Sequence, residues 1–304
     1  MNQKVKTILL AVLVMALWGS LFPCIKIGYK AFDIDPDSVA DILMFAAMRF
    51  TLCGAAITSF CFFMRKKLPA PPAKEVRNIL WIGLFAVALH YAFSYIGLSI
   101  TESSKTALLK QAGALIYVCF AFLFIQEETF SIFKIVGAIV GFFGIAALNI
   151  SSGGFRFGVG DALILGASVC TVVSNIISRR SVQNVSAIWL TCISQLFGGV
   201  VLLILALVMG GKLPRFTADG AWIFTYICIA SIASYCLWYY TLKVSALSHM
   251  FIIKFAEPVF ACIFGAVLLG ENVLRLQYLL AFVLICAGIV IGHCTYERKR
   301  IKHD

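Results

Sequence analysis

Two stretches decide the fold: residues 104–127, SKTALLKQAGALIYVCFAFLFIQE, and residues 248–271, SHMFIIKFAEPVFACIFGAVLLGE. Each is an apolar run of the length a bilayer demands, about 20 residues at 1.5 Å rise to cross roughly 30 Å of hydrocarbon. Each also holds one lysine inside the run and one glutamate at its end. A shift of 144 residues lays Lys110 on Lys254 and Glu127 on Glu271. Around these anchors Ala107-Leu108-Leu109 falls on Phe251-Ile252-Ile253, and Ile125-Gln126 on Leu269-Gly270. The same shift lays Tyr91 on Tyr235, Tyr95 on Tyr239, Leu98 on Leu242 and Gly144 on Gly288. Self-similarity held in register over this distance is the mark of a duplicated architecture.

Composition agrees with a membrane setting. The 304 residues are 62% hydrophobic and 13% charged, with mean hydropathy +0.97. A soluble domain is about 45–50% apolar and about 25% charged, and most of its side chains still meet water. Ten apolar runs follow along the chain: 7–28, 42–64, 78–100, 104–125, 131–150, 160–178, 185–208, 220–242, 246–269 and 276–294. Their length, and the lack of strict apolar–polar alternation, make them helices rather than barrel strands. Lys4 and Lys6 precede Thr7–Ile25 as they would in a signal peptide, but that stretch lacks a small-residue cleavage end and reads as a retained first span.

The net charge of +11 does not mark a nucleic-acid binder, because the basic residues sit in short clusters between the runs. With the N-terminus inside, fifteen lysines and arginines fall on the cytoplasmic side, among them Arg65, Lys66, Lys67, Lys74, Arg179 and Arg180, against six outside. That bias predicts a multi-pass protein of the cytoplasmic membrane with both termini in the cytoplasm. The eleven cysteines lie mostly inside the runs (Cys53, Cys119, Cys170, Cys228, Cys262, Cys286), with no CxxC and no zinc-like spacing. They read as packing residues, and no metal or other cofactor is expected.

The expectation is therefore an all-α integral membrane protein of ten transmembrane helices, in halves 1–150 and 151–304, the second ending in a basic cytoplasmic tail. Five spans per half make the second copy inverted relative to the first. Inverted halves around a central cavity are the plan of secondary transporters, with the substrate at the repeat interface near the midplane.

Several motifs also resemble a known family. The run Ala16-Leu17-Trp18-Gly19-Ser20-Leu21-Phe22-Pro23, then Arg49-Phe50, Gly97-Leu98, Ala256-Glu257-Pro258-Val259 and Gly270-Glu271-Asn272, is similar to the drug/metabolite transporter superfamily and its EamA-type members. The similarity covers nearly the whole chain in two copies. In the first copy Gly113-Ala114 stands where the second has Glu257-Pro258. The resemblance implies ten helices in two inverted repeats and export of amino acids or other metabolites. It also implies a comparison with plastid phosphate translocators, which place basic residues on the corresponding helices.

Charged residues inside spans are costly, about 2.5–3.5 kcal/mol on insertion scales, and are candidates for function. Lys110 lies roughly 9 Å into the fourth span and Lys254 roughly 12 Å into the ninth from the opposite side. They are either a cationic pair for a carboxylate or phosphate, or structural lysines neutralised by nearby carbonyls and acids. Glu257, three residues after Lys254, either pairs with it on one helix face or carries a proton for antiport. Pro258 removes a backbone hydrogen bond beside it. Arg49 is read as a structural or gating contact or a ligand contact, and His90 as a packing residue or a ligand contact. Trp18 with Gly19, and Tyr235, Trp238 and Tyr239, either wall the cavity or sit at interfaces. His249 and His293 lie near span ends and count as interfacial.

The leading functional expectation is a carrier, by alternating access, exporting an amino acid or another small organic anion. Its expected substrate-binding residues are Lys110, Lys254, His90, Arg49, Trp18, Tyr235 and Trp238, with Glu257 for proton coupling. The alternative is import or exchange of phosphorylated or carboxylated metabolites. The expected partners are the bilayer, a small molecule, a coupling proton or counter-substrate, and at most a second copy of the chain. A membrane-embedded enzyme would need paired acids with a metal or an activated nucleophile. Glu127-Glu128 is such a pair of acids, but Glu127 repeats as Glu271 at a span end, which a helix boundary explains. A receptor or scaffold without flux is the remaining class.

Overall fold

The computed structural model describes residues 3–63, 70–113, 115–117, 132–147, 150–151, 154–155, 157–215, 217–244, 250, 253–254 and 256–300. Ala114, Cys119, Glu127, Glu128 and His249 lie outside them.

The chain is helical. In order it forms α1 (Gln3–Ala31), α2 (Val39–Phe63), α3 (Ala73–Ile82), α4 (His90–Ser99), α5 (Ser103–Leu109), α6 (Ile132–Ala147), α7 (Val159–Asn184), α8 (Ala187–Val208), α9 (Ala218–Val244), α10 (Ala256–Leu269) and α11 (Leu276–Arg300). Between α6 and α7 a two-residue β1 (Ile150–Ser151) pairs antiparallel with β2 (Gly154–Phe155). Six segments are long and apolar enough to cross a membrane: Val5–Ala31, Val39–Phe63, Ala73–Ser99, Val159–Asn184, Ala187–Val208 and Ala218–Val244. Three shorter apolar helices, Ile135–Gly144, Ala256–Leu269 and Leu276–Gly288, occupy the expected runs 131–150, 246–269 and 276–294. The expected run 104–125 leaves the described residues beyond Tyr117.

Two departures from the expected continuous helices fall beside what becomes the site. In the third run a π-helical segment, Gly83–Leu89, separates α3 from α4. Such widened turns occur as single insertions in α-helices and often at functional positions. It ends immediately before His90. The fourth run breaks at Lys110–Gln111, with helical turns resuming at Ala112, and the ninth has a matching turn at Lys254.

Helices that are far apart in sequence touch backbone to backbone. A Cβ on Gly54 of α2 would fall 2.4 Å from the Leu196 nitrogen of α8, and one on Gly199 of α8 would fall 2.4 Å from the Thr51 nitrogen of α2. One on Gly144 of α6 would meet Ile285 of α11 at 2.8 Å, and one on Gly288 would meet the Gly137 carbonyl at 2.4 Å. Small residues permit this approach, which side-chain packing in lipid rewards. In both pairs the contacts run in opposite directions along the two helices. Elsewhere α1 packs on α9 and α10, α4 on α7, and α3 on α7 and α8.

Polarity is distributed as lipid solvation requires. Val208, Phe142 and Phe143 are 80%, 67% and 61% exposed, whereas Arg49, Glu257, Lys254 and His90 are all at most 7% exposed. Charge is collected inside the bundle and apolar bulk outside it.

Candidate functional site

The two breaks begin with backbone chemistry. Pro258 has no N–H, so the Lys254 carbonyl lacks its usual acceptor role toward residue 258. It accepts instead from the Glu257 N–H at 3.1 Å, an i to i−3 bond. The first half lacks the proline, yet it makes the same tightened bond, Gly113 N–H to the Lys110 carbonyl, also at 3.1 Å. There the Ser168 hydroxyl of α7 donates to the same carbonyl at 3.3 Å. Its one proton is shared with the Ile164 carbonyl of its own helix, 3.0 Å away, so it adds a partial contact at the break.

Both lysines project from these breaks into one cavity. It comprises about 800 Å³ of space not filled by atoms, the part open to solvent included. All eight residues expected at a site line it: Trp18, Arg49, His90, Lys110, Tyr235, Trp238, Lys254 and Glu257. Gly19 does not line it; it lets α1 approach α10, where a Cβ would fall 2.9 Å from both the Glu257 carbonyl and the Ala261 nitrogen.

The lysines have different surroundings. Lys110 Nζ lies 3.7 Å from Glu257 Oε1 and 4.9 Å from the centre of the Phe22 ring. Lys254 Nζ lies 5.9 Å from the centres of both Trp18 and Trp238, within cation–π range. The expected Lys254–Glu257 pairing is therefore corrected: the glutamate crosses to the lysine of the other half. Lys254 and Glu257 still share the cavity, but the ion-pair contact of the carboxylate is with Lys110, brought to it from another helix.

Arg49 is fully buried, and its Nε donates to Ser231 Oγ at 2.8 Å and its Nη1 to the Tyr95 hydroxyl. Its guanidinium carbon sits 4.6 Å from the Phe50 ring centre and 5.3 Å from that of Tyr91. His90 Nδ1 lies 2.9 Å from the Ala167 carbonyl and 3.0 Å from Thr171 Oγ1, with Ser94 Oγ 3.4 Å from Nε2. A carbonyl only accepts, so Nδ1 carries the proton and Nε2 is an acceptor. This geometry fits a satisfied packing histidine. Tyr235 donates to the Tyr91 hydroxyl at 3.0 Å, and Trp238 Nε1 to Asn175 Oδ1 at 3.3 Å. Trp18 lies tilted against Trp238, ring centres 5.1 Å apart and planes at 52°.

Three buried polar atoms on the cavity lining have no hydrogen-bond partner among the described residues: Trp18 Nε1, Arg49 Nη2 and Glu257 Oε2. Buried polar groups are normally satisfied, so two donors and one acceptor without partners on residues of one lining are an unmet polar demand at this site.

Sequence reasoning left out the polar row on α7: Thr171, Ser174, Asn175 and Ser178 all line the cavity. Their i, i+3, i+4, i+7 spacing in an otherwise apolar run was the available signal. Phe22, Leu21 and Ile25 on α1 were also left out, and as apolar residues in an apolar span they give no signal at all.

Comparison with known proteins fits this arrangement. A family model described as the EamA-like transporter family matches residues 5–150 and 158–292. The uncharacterized transporter YoaV of Bacillus subtilis (strain 168) is 23% identical over 305 residues, covering 98% of this chain and 100% of that protein. An uncharacterized transporter of Archaeoglobus fulgidus is 26% identical over 279 residues, covering 90% of this chain and 91% of that one. The uncharacterized inner membrane transporter YedA of Escherichia coli (strain K12) is 26% identical over 281 residues, with 90% and 87% covered. A solved crystal structure shares the fold at TM-score 0.66 and 18% identity, over 97% of this chain and 98% of that chain. With matches over both stretches of its length, the chain belongs to the EamA-like transporter family.

Proposed function

We propose that the protein is a secondary transporter that exports an amino acid or a related small organic anion through the cavity between α1, α4, α7, α9 and the two broken helices. In this reading ten spans form two inverted five-helix halves, and both termini are cytoplasmic. The antiparallel contacts of α2 with α8 and of α6 with α11 support the inversion. In the α6–α11 pair the two glycine contacts, Gly144 with Ile285 and Gly288 with Gly141, exchange under the repeat shift, as a two-fold axis lying across the helices requires. Tyr91 and Tyr235, partners under that shift, bond to each other at 3.0 Å.

The observation that carries the reading is the convergence of Lys110 and Lys254, each at a helix break, on one cavity with Arg49 and Glu257. Three cations against one carboxylate favour a carboxylate or phosphate on the substrate. A substrate that also carries an ammonium would use Glu257, and then substrate and proton compete for one carboxylate. Competition of that kind is what proton antiport, and hence export, requires. A purely anionic substrate would not compete with the proton, and would point to exchange or import of phosphorylated or carboxylated metabolites.

Flux into and out of proteoliposomes, with labelled amino acids, organic phosphates and dicarboxylates and with or without a pH gradient, tests this. The expected result is counterflow of an amino acid driven by an opposing proton gradient, lost in Glu257→Gln. Flux of no panel member, or undiminished gradient dependence in Glu257→Gln, overturns the respective part.

A further inference from the structure

A second cavity lies at one end of the bundle, away from the central one, between the start of α3 and the end of α7. It is lined by Lys74, Glu75, Asn78 and Trp81 of the first and by Ile176, Ile177, Arg180 and Asn184 of the second. Its empty space is about 980 Å³. Three observations describe what it fits.

The first is charge. Lys74 and Arg180 are exposed, and neither has an acidic partner within ion-pair distance among the described residues. The one acid present, Glu75, is 8% exposed and committed to amides, accepting from Asn184 Nδ2 at 2.8 Å and from Asn78 Nδ2 at 3.3 Å. The second is backbone. Helix α3 starts here, capped by Pro72 with no side-chain hydrogen bond, so its positive dipole end lies beside the same space; the Glu75 and Val76 amides bond to the Pro72 carbonyl, which leaves those of Ala73 and Lys74 for a ligand. The third is a gradient of polarity that both helices share. Along α3 the lining changes from Lys74, Glu75 and Asn78 to Trp81, about 10 Å deeper. Along α7, which runs the other way, it changes from Asn184 and Arg180 to Ile177 and Ile176. Trp81 is 51% exposed, as aromatic residues are at a bilayer interface.

We infer that this cavity is a binding site for the phosphate of an anionic phospholipid, with Lys74, Arg180 and the α3 amides on the headgroup and Trp81, Ile176 and Ile177 along an acyl chain. A soluble phosphate would use the charged end alone and leave the apolar end without purpose. Basic pockets between membrane helices at the headgroup level recognise anionic lipids in this manner. The inference does not depend on what the central cavity carries.

The test is native mass spectrometry of the full-length protein delipidated and re-exposed to mixed phosphatidylglycerol and phosphatidylcholine vesicles. The wild type is expected to retain phosphatidylglycerol preferentially. Lys74→Gln and Arg180→Gln should each lower that retention about fivefold, as one cation near an anionic surface does, with phosphatidylcholine adducts unchanged. Lys243→Gln, an exposed cation outside the cavity, should leave retention at the wild-type level. Both cations are exposed, so folding is not at stake, and size-exclusion profiles check it. Equal retention of the two lipids, or unchanged phosphatidylglycerol adducts in both single variants, overturns the site. Displacement of the lipid by millimolar glycerol 3-phosphate without any lipid preference in its absence also overturns it, in favour of a soluble phosphate.

Discussion

Lys110 and Lys254 occupy the same place in the two copies of the repeat, at the same tightened turn, and yet they are not in the same electrostatic state. The difference traces to one position. Under the 144-residue shift Glu257 corresponds to Gly113. So Lys110 meets the glutamate supplied by the second half, 3.7 Å away. Lys254 looks for its counterpart in the first half, finds glycine, and rests over Trp18 and Trp238 instead. Positions that correspond under the shift thus hold one lysine in an ion pair and one against aromatic faces. Under the proposed function, the first would switch its pairing and the second would receive a substrate's negative group.

The largest expected effect separates the two lysines by stability. Lys110→Ala removes the ion-pair partner of the buried Glu257, which costs up to about 3–5 kcal/mol. Lys254→Ala breaks no ion pair. Melting curves of the detergent-solubilised protein should show a large loss for the first and a small one for the second. Equal losses would erase the distinction.

Transport should rank them in the opposite sense. A hydrogen bond to a charged group is worth about 1.5–3 kcal/mol, so Lys254→Ala should slow flux about 10- to 150-fold at limiting substrate. Gly113→Glu sharpens the same point by installing the missing acid. Its Cβ would come within 3.2 Å of the Ser168 carbonyl, so α7 must yield slightly. With Lys254 then paired, flux of an anionic substrate should fall about tenfold, as loss of one charge-assisted contact implies, although the lysine itself is intact. Normal flux in Gly113→Glu would remove Lys254 from the substrate's path.

How much of this was legible in the sequence follows from the same residues. The apolar runs and the paired lysines were visible because lipid imposes strong demands on length and on buried charge. All eight candidate residues lie on one cavity, since an ionisable or aromatic residue at depth has few other places to go. The partner of Glu257 was not visible. Spacing along an ideal helix pointed to Lys254; the ion pair with Lys110 arises where two helices far apart in sequence meet at one cavity, which spacing does not report. The π-helical segment before His90 was equally hidden, because its residues, Gly83–Leu89, are those of any apolar span.

The smallest expected effect concerns the walls rather than the lysines. Trp18, Leu21, Phe22 and Ile25 of α1 face the cavity from one side, and Thr171, Ser174, Asn175 and Ser178 of α7 from the other. Both rows have the spacing i, i+3, i+4, i+7 on the first helix of a matched stretch, but one is wholly apolar or aromatic and the other wholly polar. A molecule lying between them is favoured when it has one greasy face and one hydrogen-bonding edge. Asn175→Leu makes the second wall resemble the first while keeping a comparable volume. It forfeits neutral hydrogen bonds of about 0.5–1.5 kcal/mol, so flux of a polar substrate should fall about two- to tenfold. Part of that fall arises from Trp238 Nε1, which loses its acceptor Asn175 Oδ1. Trp238→Phe in the Asn175→Leu background separates the two contributions. If the polar edge is read directly, the double variant remains impaired toward polar substrates and gains relative preference for apolar ones. If Asn175 serves only to hold the indole, the double variant recovers the flux of Trp238→Phe alone, and the contrast between the walls has no bearing on selection.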